Sequence, residues 1–165
     1  MDNLEFNKLT PEELPAVLDI YTYYIENSTA TFHMHPLSLD EMRGIVFFED
    51  PKYRTFTIKM DGELCGYVLL TRYKPREAYD GTAEVTVYLK PEYTGRGMGE
   101  EAIRFIEKFA RQKQFHVLVA IITGGNSPSI RAFEKNGFVK CAHFKEMGKK
   151  FGRLLDVVAY QKILD

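Results

Sequence analysis

The residues best equipped for chemistry lie on one stretch of the chain, Glu84 to Gly99, EVTVYLKPEYTGRGMG. Gly95, Gly97 and Gly99 let successive backbone N–H groups turn inward around an anion with no Cβ in the way. Thr94, Arg96 and Met98 are interleaved with them, and the helix that follows adds the partial positive charge of its N-terminus to the same spot. Arg96 can contribute a charge-assisted hydrogen bond, typically worth ~1.5–3 kcal/mol. Such a turn suits a diphosphate; the plain alternative is a glycine-rich turn that binds nothing. Two common phosphate motifs are excluded by spacing. A P-loop requires Gly-Lys-Ser/Thr where Gly99-Glu100-Glu101 stands, and a dinucleotide fingerprint requires G-x-G-x-x-G where this chain has G-x-G-x-G. Glu84 opens the stretch inside the apolar run TAEVTVYL, where a carboxylate can act as a general base. A solvated strand residue is the alternative for Glu84, and the apolar run argues against it.

These residues need a strand before the glycines and a helix after them. Val85 to Leu89 is β-branched and aromatic and reads as a buried strand that Pro91 stops; Ala102, Phe105, Ile106 and Phe109 mark one face of a helix running to about Gln112. Upstream, Leu4 to Leu9 alternates as a first strand. Thr10, Pro11 and Glu13 form a helix start whose buried face is Leu14, Val17, Leu18, Tyr21 and Ile25. Ser28 to Phe32 is a candidate binding loop. Ser38 and Glu41 begin a second helix that carries Met42, Ile45, Val46 and Phe48. Arg54 to Met60 and Glu63 to Tyr73 form a hairpin around Asp61-Gly62. Val117 to Thr123 is continuously apolar, predicting a strand buried on both faces. A short helix follows through Lys135 with Ser127 as N-cap and Gly137 as its left-handed end. Two closing strands, Phe138 to Lys145 and Leu154 to Ile163, flank a linker from Met147 to Gly152.

At 165 residues the chain suits one domain over 1–165, with enough length to bury a core without staples. A formal net charge of -1 gives no electrostatic case for nucleic acid. No apolar run approaches a membrane span, and the acidic N-terminus MDNLEFNKLTPEEL predicts a cytoplasmic protein. Cys65 and Cys141 read as small core residues. His33 and His35 lack further ligands nearby in sequence, so no metal is expected.

The loop after Leu89 resembles the acyl-CoA loop of the GNAT superfamily of N-acetyltransferases, Gln/Arg-x-x-Gly-x-Gly/Ala. Gly97 and Gly99 match it and Thr94 departs from it. Four further segments resemble phosphinothricin acetyltransferase-like members. They are TYYIENSTATF from Thr22, REAYDGTAEVTVYL from Arg76, NSPSIRAFEKNGF from Asn126 and KFGRLLDVVAYQK from Lys150, in which Leu154 replaces a tryptophan. The resemblance covers essentially the whole chain. It implies an α/β GNAT fold, a mixed, mostly antiparallel sheet with helices on both faces. In that fold the parallel central strands splay apart where Leu89 and Thr123 would end, and a pantetheine arm lies in the gap.

The same resemblance implies acetyl-CoA as co-substrate, with Thr94 to Gly99 around the diphosphate, the Val87 and Leu89 backbone and Asn126 on the pantetheine, and Ser129 and Phe133 beside it; a plain loop or helix-capping residue is the alternative for Asn126. It places the catalytic glutamate at Glu84. Phe133 stands where relatives often have a proton-donating tyrosine or histidine, leaving Tyr88 and Tyr79 as fallback donors. A thiolate with a pKa near 8.5 is a tolerable leaving group without one. Ser28, Thr29, Phe32, Arg76 and Tyr79 would face the acceptor, with Arg76 suited to a carboxylate; an exposed loop arginine is the alternative for Arg76. The implied function is N-acetylation of a small amino acid or analogue such as phosphinothricin, methionine sulfoximine or methionine sulfone, by a homodimer. Acetylation of a protein N-terminus, lysine or polyamine, or acyl-CoA binding without turnover, are the alternatives.

Overall fold

The computed structural model describes residues 3–165. The elements run β1 (Leu4–Lys8), α1 (Leu14–Asn27), α2 (Leu39–Val46), β2 (Arg54–Met60), β3 (Glu63–Arg72), β4 (Thr82–Leu89), α3 (Met98–Gln112), β5 (Val117–Thr123), α4 (Ser127–Lys135), β6 (Val139–Lys150) and β7 (Arg153–Ile163). Among the described residues the strands form one seven-stranded sheet in the order β1-β2-β3-β4-β5-β7-β6. Neighbours are antiparallel except β4 and β5, which are parallel. One face is covered by α3 and α4 over a core that includes Ile58, Val68, Leu70, Val85, Ile103, Ile106 and Leu118; the other is covered by α1 and α2 over Leu14, Val17, Ile25, Met42 and Tyr67. This is the α/β, mixed-sheet architecture expected from the sequence.

Local chemistry accounts for where elements begin and end. The capping box at the start of α2 forms as expected, Ser38 accepting from the Glu41 N–H at 3.1 Å and Glu41 accepting from the Ser38 N–H at 2.9 Å. The expected start of α1 is a 3-10 turn over Pro11–Glu13 instead. Pro15 has no N–H to give the Pro11 carbonyl, so that carbonyl accepts from Leu14, one residue earlier. Helix α2 stops at Val46, short of the expected Phe48. Its last carbonyl accepts from the Thr55 hydroxyl at 2.7 Å, and extended backbone at Phe47 brings Phe47 and Phe48 against the core.

Two differences matter for the site. The linker expected over Met147 to Gly152 is strand and turn: Gly148, Lys149 and Lys150 pair with Leu155, Leu154 and Arg153, and Phe151 (φ 52) and Gly152 (φ 72) make the turn. Two positive φ angles are what a two-residue hairpin turn needs, and phenylalanine is a poor signal for the first of them. The parallel central strands also separate earlier than expected. Their pairing covers Thr82–Val117, Ala83–Leu118 and Glu84–Val119 and ends there, well before Leu89 and Thr123. As a result Ile121 is 43% exposed, although a strand buried on both faces was expected. Cys65 is buried as expected, whereas Cys141 is exposed on β6.

Candidate active site

The separation of β4 and β5 opens a cleft of about 800 Å³, lined on its two long walls by Val85 to Leu89 and by Ala120 to Thr123. Main-chain bonding along an antiparallel strand alternates sides. Lys90 donates to the Cys65 carbonyl on β3 at 2.7 Å, so Val87 and Leu89 turn their N–H and C=O groups the other way, toward β5. Gly124 donates to the Asp156 carbonyl on β7 at 2.8 Å, which by the same alternation turns Ile121 and Thr123 toward β4. The two strands thus present main-chain groups to each other across the cleft without pairing. Backbone donors left this way require a partner, and an extended chain carrying amides is the natural one. The Leu89 carbonyl already accepts from the Tyr24 hydroxyl on α1.

One end of the cleft is built by the glycine turn and α3. Gly95 (φ 75) and Gly97 (φ 81) are left-handed, and Gly97 is the N-cap of α3. A Cβ added at Gly95 would meet nothing within 4 Å, so the space in front of that backbone is open. Thr94, Gly95, Gly97 and Gly99 line the cleft; Arg96 and Met98 do not. Arg96 swings out and stacks its guanidinium 5.2 Å from the Tyr93 ring centroid. Met98 is fully buried, its sulfur 3.7 Å from that of Cys65, so its side chain belongs to the core and only its backbone remains near the turn. A helix N-terminus offering N–H groups beside left-handed glycines fits a diphosphate with no arginine in direct contact.

Helix α4 forms the adjacent wall with Asn126, Ser129, Arg131 and Phe133. Asn126, not Ser127, is its N-cap: with Pro128 lacking an N–H, the Asn126 carboxamide accepts from Ser129, at 3.4 Å. Phe133 is 4% exposed and meets Phe138 edge-on, a core ring with one side toward the cleft.

Glu84 belongs to the last paired rung of β4 and β5. Glu84 itself is not among the residues that line the cleft; side chains alternate along a strand, so it shares a face with Thr86 and Tyr88, which do line it, and stands about 7 Å along the strand from Thr86. Burial pushes the Glu84 pKa above the usual carboxylate value and outweighs the opposing charge of Lys74. Burial also pushes Tyr88 upward and Tyr24 up to about 12, so both phenols keep their protons at neutral pH.

The remaining wall is the loop after α1. Ser28, Thr29 and Ala30 line the cleft, and Phe32 instead lays its ring on Gly148. His33 hydrogen-bonds the Tyr21 hydroxyl. Arg76 and Tyr79 are also outside the cleft lining: both are exposed on a 3-10 turn before β4, with Tyr79 edge-on to Tyr73. Of the fallback proton donors, Tyr88 lines the cleft and Tyr79 does not. Sequence reasoning missed Tyr24, Ile121 and Arg153 as lining residues. Tyr24 carries a legible signal as part of the segment from Thr22 on which the resemblance rests, and Arg153 is brought in by the Phe151–Gly152 turn, where the sequence suggests a linker.

A model of the acetyltransferase (GNAT) family matches residues 17–138. The L-methionine sulfoximine/L-methionine sulfone acetyltransferase of Pseudomonas aeruginosa is 31% identical, the match covering 93% of this chain and 90% of the relative. A crystal structure of a phosphinothricin acetyltransferase from Sinorhizobium meliloti in complex with acetyl-CoA superposes with a TM-score of 0.93 at 26% identity, covering 98% of this chain and 89% of that one. The structure of a ribosomal-protein-alanine N-acetyltransferase from Brucella melitensis superposes with a TM-score of 0.88 at 30% identity, covering 97% of this chain and 99% of that one.

Proposed function

The chain belongs to the acetyltransferase (GNAT) family of acetyl-transferring enzymes, and on that premise we propose that it moves an acetyl group from acetyl-CoA to the α-amine of a small amino acid or analogue. The observation that carries this is the early end of β4–β5 pairing, which leaves Val87 and Leu89 with main-chain donors facing a cleft that runs to the N-terminus of α3. Pantetheine amides would complete the interrupted ladder, and the diphosphate would rest on the glycine turn.

Direct transfer in a ternary complex follows. The acceptor nitrogen loses a proton to Glu84, directly or through a water, and attacks the thioester carbon. The N–H groups of the β4 edge stabilise the oxygen as it gains charge. Collapse of the tetrahedral species breaks the carbon–sulfur bond and releases the CoA thiolate, which takes up a proton from solvent or from Tyr88. Ser28 and Thr29 shape the acceptor end.

Arg76 stands outside the cleft lining, so the preference for an amino acid rests on the relatives' substrates. A second acceptor, an N-terminal alanine of a protein, is favoured by the likeness to the Brucella structure. The proposal includes a homodimer; the exposed Phe144, Met147, Phe151 and Leu154 around the β6–β7 hairpin support it, and sedimentation would test it. The deciding experiment is acetyl-CoA-dependent thiol release with phosphinothricin, methionine sulfoximine, methionine sulfone, polyamines and an alanine-initiated peptide. Turnover of the amino-acid analogues above the peptide supports the proposal, and turnover of the peptide alone replaces it with the second acceptor.

A further inference from the structure

Three successive carbonyls of the loop after α1 are each held by a different strand. Thr29 accepts from the Thr123 hydroxyl on β5 at 2.6 Å, Ala30 from the Tyr88 hydroxyl on β4 at 3.4 Å, and Thr31 from the Lys150 ammonium on β6 at 2.8 Å. The first two span the open cleft, one from each wall. The third comes from the edge strand of the sheet, three strands away from β4.

Lys150 is the unusual member. It is 2% exposed, and among the described residues no carboxylate lies within ion-pair distance of it. A buried ammonium with no counter-charge is costly, and a lysine stem at a hairpin tip is long enough to reach water. Its neighbour Phe151 is 55% exposed, so the tip itself is at the surface. The ammonium nonetheless points inward to the Thr31 carbonyl. A second contact joins the same strand to the same loop: a Cβ at Gly148 would sit 2.4 Å from the Phe32 ring, so glycine there lets the ring lie flat on β6. Thr31 is fixed from its other side by the Tyr21 hydroxyl at 2.6 Å.

We propose that Lys150 is a positioning residue of the acceptor site, its ammonium holding the Thr31 carbonyl so that Ser28, Thr29 and Ala30 keep their place on the cleft wall. The proposal rests on the acetyltransferase reading for its kinetic consequences. The loop contacts neither α3 nor the glycine turn through these bonds, so loss of the Lys150 contact changes acceptor binding and leaves the co-substrate end alone. The bond is charge-assisted and made to a main-chain atom, so an isosteric apolar side chain fills the space without replacing it.

The test compares wild type with Lys150→Met and Lys150→Arg, and with Lys150→Gln should the methionine variant not fold. The Met or Gln variant is expected to raise KM for the acceptor about 10–100-fold, the range of one charge-assisted hydrogen bond, with kcat and the Kd for acetyl-CoA held within about threefold. Lys150→Arg, which keeps a cationic donor, restores part of the loss. Hydrogen exchange of the amides at 28–33 is measured on the same proteins and is expected to speed up in the Met or Gln variant. An unchanged KM, or a fall in kcat with KM unchanged, overturns the proposal. Should the wild type acetylate no amine offered, the proposed function fails by itself; exchange then decides Lys150 alone, faster exchange in the loop supporting its positioning role and unchanged exchange overturning it.

Discussion

Glu84 and Val119 form the last rung of parallel pairing between β4 and β5, and beyond them the two strands no longer pair with each other, each keeping its outer neighbour, β3 or β7, while their facing edges open on the cleft. The carboxylate proposed as the base therefore sits at the root of the opening, held by paired backbone on both sides. Its register partners are Thr71 on β3 and Val119 on β5.

Glu84→Gln should lower kcat by about 10²–10⁴-fold while acetyl-CoA binds as before, because the amide cannot take a proton. Burial raises the Glu84 pKa and the base acts when ionised, so wild-type kcat should climb with pH through a value above the ordinary carboxylate pKa. That limb should vanish in the variant.

The same substitution should raise stability at neutral pH. For a carboxylate whose folded pKa is raised, the stabilisation is complete below the unfolded value and is lost as pH rises through the folded value. Wild type is thus weakened at pH 7 by an ionised, partly buried Glu84, and glutamine removes that charge. Thermal melts at pH 4 and pH 7 should show Glu84→Gln gaining at the higher pH relative to wild type.

Gly97→Ala should weaken acetyl-CoA about tenfold or more by calorimetry. Gly97 holds φ 81 at the N-cap of α3, a conformation that costs an L-residue about 1–2 kcal/mol. Relaxing that strain turns the N–H groups away from the diphosphate. An unchanged Kd would remove the turn from the binding site.

Gly66→Ala should lower stability by about 1–3 kcal/mol. A Cβ there would lie 2.5 Å from the Tyr88 carbonyl oxygen and 3.1 Å from the Leu89 Cα, and backbone cannot step aside as a side chain can. Denaturant unfolding measures the loss. Because the clash pushes on the end of β4, the surviving folded enzyme should also bind acetyl-CoA less well.

Lys162→Met should cost about 1.5–3 kcal/mol, the range for hydrogen bonds to charged groups. Lys162 donates to Glu107 on α3 and to the Asn136 carbonyl after α4, both at 2.7 Å, and so joins both helices to β7. Burial alone would raise the Glu107 pKa, but Lys162 and Arg111 outweigh it and hold the carboxyl below its ordinary value. The associated stability is present above the unfolded pKa and disappears as pH falls through the folded one. The variant's deficit should therefore shrink in acid.

Much of the fold is legible because its signals are short-range. The Ser38–Glu41 capping box, the Asp61-Gly62 turn and the apolar face of α3 are each set by residues within a few positions, and the bounds of β2, α3 and β5 follow directly. The elements read less well where a distant contact intervenes. Thr55 caps α2 from another strand, and the Phe151–Gly152 turn forms because β6 and β7 pair along their length, despite a phenylalanine in a left-handed position.

By itself the sequence determined the order of the elements, the glycine turn at the start of α3 and a carboxylate on an apolar strand, since each depends on residue type and local spacing. Only the tertiary structure decided where β4 and β5 part, and that Glu84, Arg96, Met98, Phe32, Arg76 and Tyr79 stand outside the cleft lining, Glu84 at its edge on the last paired rung. It also decided that Tyr88, Thr123 and Lys150 converge on three consecutive carbonyls of one loop. Those outcomes depend on which way a side chain turns once helices, strands and hairpin are packed, and residues up to 119 positions apart in the chain have no local pattern through which to announce that they meet.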